Sequence, residues 1–104
     1  MSDIKHTPGP WAAIADICTV DDRDFQVVEV REAGDFRGGI CRLQSAEHIG
    51  GIDAAETRAN GALIAAAPEL LEALKWLRTC EERGDLEEAI AAADAAIAKA
   101  EGRQ

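Results

Sequence analysis

Apolar and polar residues alternate along the first half of this chain and follow a helical period along the second. In WAAIADICTV, residues 11–20, one alternating set is Trp11, Ala13, Ala15 and Ile17, and the other is Ala12, Ile14, Asp16, Cys18 and Val20. Either face of the predicted strand can therefore turn inward. The DDRD stretch at 21–24 supplies turn-forming aspartates. FQVVEV then places Val28 and Val30 on one side and Phe25, Val27 and Glu29 on the other, the pattern of a half-buried strand. A glycine-rich loop, EAGDFRGG at 32–39, precedes a third apolar run, GICRL. Two successive hairpins make a three-stranded antiparallel meander over 11–44. Such a sheet is marginal alone and needs a cover on one face.

The cover is expected from residues 53–101. Asp53 with Glu56 three residues later forms a capping signal, and a helix from about 54 to 66 follows. Pro68 removes an amide donor and clashes with the carbonyl four residues back, so it costs about 3 kcal/mol inside a helix but little in a first turn. The sequence therefore predicts a break or kink near Ala66-Ala67. The next helix, PELLEALKWLRTCEER, sets Leu70, Leu71, Leu74 and Leu77 on one side, with Gly84 as its stop. Asp85 and Glu88 repeat the capping signal. A last helix then spaces Leu86, Ile90, Ala93, Ile97 and Ala100 as the seam of a coiled coil or helical hairpin. The fold class is α+β: a single domain over 1–104, with an extended leader at 1–10, the meander packed on helices, and a C-terminal antiparallel helical hairpin.

Composition narrows the picture. Of 104 residues 47% are hydrophobic, but many are alanines, and the aromatics are only Phe25, Phe36, Trp11 and Trp76. A core this thin gains from a second copy of the chain, so a homodimer is expected, with Leu86, Ile90 and Ile97 as its seam. The net charge of −9 is spread along the chain and no basic block occurs. Direct binding to nucleic acid or to an anionic membrane is thereby disfavoured, and a basic protein surface is the fitting partner. No run approaches the ~20 apolar residues of a membrane span, and the N-terminus lacks the apolar stretch of a signal peptide. A soluble protein of the bacterial host cytoplasm is expected, with Cys18, Cys41 and Cys80 as buried, reduced thiols.

Candidate chemistry is sparse. His6 and His48 have no sequence-local partners, and Cys41 with His48 is a weak nucleophile–base pair by spacing alone. Asp21, Asp22 and Asp24 lack the glycine and distal glutamate of a calcium loop. No enzyme, no cofactor and no metal are expected. The residues that stand out as contact candidates are Trp11, Phe36 and Arg37 at a hairpin tip, Asn60 in a small-residue helical stretch, and Leu86, Ile90 and Ile97.

TPGPW at 7–11 together with ANGALIAAAPELLEAL at 59–74 resembles a widespread family of small proteins of tailed phages and prophages, with a TPGPW leader, a short β segment and an ANAxLIAAAPELLEAL helical motif. Gly61 stands where that pattern has its second alanine, which weakens the first helix by up to about 1 kcal/mol. The pattern spans roughly residues 7–77. It implies phage origin and leaves the mechanism open. The functional expectation is a non-enzymatic accessory protein that binds and modulates a host factor, such as a defence component. The alternatives are an acidic DNA mimic that inhibits a nucleic-acid-binding protein, and a small-molecule sponge at a subunit interface lined by Trp11 or Asn60.

Overall fold

The computed structural model describes residues 6–34, 39–83 and 86–102, with the side chains of residues 48 and 80–83 left aside. Strands β1 (Trp11–Val20), β2 (Arg23–Glu32) and β3 (Gly39–Gln44) form an antiparallel sheet in the order β1-β2-β3. Asp21 and Asp22 both have positive φ, 53° and 63°, so the β1–β2 hairpin turns on a two-residue loop whose twist matches that of the strands. Val28 pairs with Ala15 on one side and Leu43 on the other, and the β2–β3 register slips between Val30 and Arg31.

Helices α1 (Ala54–Ala65), α2 (Ala67–Arg83) and α3 (Leu86–Ala100) follow a 3-10 turn at Glu47–Ile49. Asp53 caps α1 as its spacing predicts: its Oδ1 accepts from the Glu56 amide at 2.8 Å. The predicted break is present between α1 and α2, where Ala66 ends the first helix and Pro68 occupies the first turn of the second. In that turn its missing donor is tolerated. Gly84 and Asp85, read as a stop and a cap, lie outside the described residues.

α1 is the helix that lies on the sheet, crossing β2, and α3 packs on α1 in turn while pairing with α2. This serial arrangement makes the molecule long, 57 × 27 × 19 Å, with a radius of gyration of 16.5 Å. A compact domain of this length has about 13 Å.

Close seating of α1 depends on its inward stripe of Thr57, Gly61 and Ala65. A Cβ built on Gly61 would stand 2.5 Å from Val28 Cγ1, so the residue that weakens the helix is the one that lets it approach the strand. β2 differs from the half-buried strand the alternation predicts. Phe25, Val27, Val28 and Val30 are all buried, and so is Gln26. Gln26 is satisfied on every side: its amide nitrogen donates to the carbonyls of Asp16 and Val27, its side-chain oxygen accepts from Arg58 at 2.8 Å, and its backbone N–H donates to Ser45 Oγ. One polar side chain thus ties β1, β2 and α1 together, and its backbone adds the end of β3.

The helical hairpin also differs from its expected packing. Its inward residues are Ala73, Ala89 and Ala96, all buried, whereas Leu74, Leu86, Ile90 and Ile97 are 64%, 51%, 46% and 43% exposed. Alanines let the two helices approach closely, and the larger aliphatic side chains, which do not fit that gap, are left on the flank. The thiols of Cys18 and Cys41 are free and half-exposed, not buried as expected: Cys18 lies on β1 and Cys41 on β3, the two edges of the sheet.

Candidate functional site

The described part of the leader, residues 6–10, lies against the domain. Its Thr7 carbonyl accepts from the Trp11 indole N–H at 3.1 Å, and the Ala33 amide donates to the Pro10 carbonyl at 3.0 Å, which ties the leader to the end of β2. His6, expected to lack a local partner, packs edge-on against Trp11 with ring centroids 6.4 Å apart. Gly9 presses on the helical break: a Cβ there would lie 2.5 Å from Pro68 Cβ. The two proline-bearing segments of the sequence therefore meet face to face.

Where they meet, a groove of about 730 Å³ opens between the leader and the α2/α3 hairpin. Pro8 and Pro10 form one wall, and small side chains of α3, Ala92, Ala95 and Ala96, form the floor. The other wall is α2, where Glu69, Glu72 and Trp76 share one face through their three- and four-residue spacings. Lys99 spans the groove end: its Nζ donates to Glu69 Oε2 at 2.8 Å in a pair that is partly shielded from water. The other oxygen, Glu69 Oε1, is buried without a hydrogen-bond partner. Glu72, at the lip, is 74% exposed and only loosely paired with Lys75 at 3.9 Å. The volume lies in the range of ligand sites, and the mainly apolar lining with a few convergent polar groups is their usual composition.

Ala73 marks the line along which α2 meets α3. The groove residues fall to one side of that line, while Leu70, Leu74 and Leu77 fall to the other, the side that also carries Leu86, Ile90 and Ile97 on α3. The hairpin thus has an acidic, grooved flank and an aliphatic one.

Of the contact candidates read from the sequence, Leu86, Ile90 and Ile97 stand together on the aliphatic flank. Trp11 is half-buried at the head of β1, locked by its bond to Thr7, and Asn60 is half-buried on α1. Neither lines the groove. Phe36 and Arg37 lie outside the described residues. Sequence reading missed Glu69, Glu72, Trp76 and Lys99. The first three carry a signal in their spacing, but Lys99 is thirty residues from its partner Glu69 and has none. Among the described residues, no group of three or more His, Cys, Asp or Glu is placed to hold a metal ion, and no helix is long and apolar enough to cross a membrane.

Comparison with curated proteins and with solved structures finds no match in either set. The whole chain, residues 1–104, matches the family model described as Salmonella phage P22 protein Y8K6. The chain belongs to this phage protein family.

Proposed function

We infer that the protein is a non-enzymatic phage accessory protein that binds a basic surface of a host protein and modulates that protein, in the manner of a counter-defence inhibitor, and that it works as a homodimer. The observation that carries the reading is the hairpin with two unlike flanks. One flank offers carboxylates around an apolar groove, on a chain of net charge −9, which suits a cationic partner whose approach is steered by charge. The other leaves Leu74, Leu86, Ile90 and Ile97 in water, and a second copy of the same flank would cover them.

The test is affinity capture from host lysate with C-terminally tagged protein at low and at high salt. The expected result is a host protein retained at low salt and released as salt screens the charges. Capture of nothing above controls under either condition refutes the reading. The groove's volume also suits a small molecule, and native mass spectrometry of gently purified protein that finds a bound metabolite would replace the protein partner by that ligand.

A further inference from the structure

We propose that the groove between the leader and the hairpin is a receptor for an arginine side chain presented by an extended segment of the partner protein. The proposal rests on the reading of the chain as a binder of basic protein surfaces and adds the place and the chemistry of recognition. Glu69 has spare acceptor capacity: Lys99 takes Oε2, and Oε1 is buried without a hydrogen-bond donor. An acceptor in that state is costly until a donor arrives, and because the Glu69 side chain is itself 35% exposed and lines the groove, a small rotation of its carboxylate would present the spare oxygen to a donor there. Glu72 adds a second carboxylate one turn along α2, and Trp76 lies one further turn along on the same face. A guanidinium matches this set. It is planar and weakly hydrated, it stacks on an indole, and its fork of donors can reach two carboxylates at once. An ammonium offers one compact, strongly hydrated charge and uses Trp76 less well.

The rest of the groove fixes the remainder of the ligand. Its alanine floor and the prolines at 8 and 10 accept an aliphatic stem and an extended backbone, not a second charge. A phosphate-bearing ligand would meet two carboxylates against one lysine already engaged in an ion pair and the His6 ring. Lys75, which does not line the groove, competes weakly for Glu72 across 3.9 Å between two exposed side chains.

The test is a titration of the wild-type full chain, followed by tryptophan emission and by calorimetry, with the blocked peptide acetyl-Ala-Arg-Ala-amide and its citrulline counterpart. The expected result is saturable quenching by the arginine peptide, at least about fivefold weaker for citrulline, which keeps the shape and loses the charge. Glu72→Gln, at an exposed position that leaves the fold intact by circular dichroism, weakens binding about fivefold, and Trp76→Leu, followed by calorimetry, weakens it about tenfold. Equal response to citrulline, an unchanged affinity in Glu72→Gln, or no saturation overturns the proposal. A saturable response to inorganic pyrophosphate does so too, in favour of an anion site at Lys99. The two readings fail separately. A wild-type protein that captures a host protein as well as Glu72→Gln and Trp76→Leu do refutes the groove and keeps the binder. Capture of nothing refutes the binder, while the peptide titration still decides what the groove accepts.

Discussion

Replacing Gly61 by alanine adds one methyl group at the point where α1 comes nearest to the sheet. On helix propensity alone the change stabilises by about 1 kcal/mol. The structure predicts the opposite sign. The new carbon would sit 2.5 Å from Val28 Cγ1 and 3.3 Å from Val28 Cβ, where carbon atoms settle at roughly 3.5–4.0 Å. Val28 cannot easily turn away, since it is 1% exposed and β-branched side chains are stiff at χ1. Relief therefore requires α1 to lift from β2, which also strains the Arg58–Gln26 bond at 2.8 Å. Overpacking costs about 1–3 kcal/mol, and a 2.5 Å approach to a stiff, buried valine belongs in the upper part of that range, about 2–3 kcal/mol, so the net loss after the propensity gain is about 1–2 kcal/mol. For a chain of this size that lowers Tm by roughly 5–15 °C. Far-UV circular dichroism during thermal and urea unfolding reads the change. In a Val28→Ala background, which removes both γ-carbons, the same substitution should be close to neutral. A Gly61→Ala protein that melts higher than the parent, with Val28 intact, refutes the seating of α1 on β2.

Gly9→Ala should lift the leader from the helical break, because its Cβ would collide with the rigid ring of Pro68 at 2.5 Å; the check is a red shift of Trp11 emission in a Trp76→Phe background, with a stability loss of about 1 kcal/mol. Asp53→Ala removes the acceptor of the Glu56 amide and should destabilise by about 1 kcal/mol in urea unfolding. Asp22→Gly relieves a positive φ of 63° and should raise stability by about 0.5–1 kcal/mol, seen as a higher melting temperature. Ile90→Lys on the aliphatic flank, where Ile90 is exposed, should shift sedimentation toward monomer while leaving circular dichroism unchanged; unaltered sedimentation removes that flank from the dimer.

The elements themselves were legible because each rests on local chemistry. Alternation marked the strands, Asp53 the start of α1, and Pro68 its separation from α2. The packing was less legible. Ranking side chains by hydrophobicity turns Leu74, Leu86, Ile90 and Ile97 inward, but the hairpin closes on Ala73, Ala89 and Ala96, since small residues set how near two helices can come. Gln26 reads as the polar face of a strand. It is buried because its partners lie 10, 19 and 32 residues away, at Asp16, Ser45 and Arg58, a distance no local pattern spans. The groove was hidden for the same reason, being assembled from the leader, the start of α2 and the end of α3.

That assembly has a practical corollary for anyone handling the protein. His6 lines the groove, so a purification handle or reporter fused ahead of the chain starts within six residues of the cavity and can compete with whatever should enter. Lys99, at the other end of the groove, stands five residues from the opposite terminus, so a handle at either end starts close to the cavity, and protein freed of its handle should differ from tagged protein in what it retains.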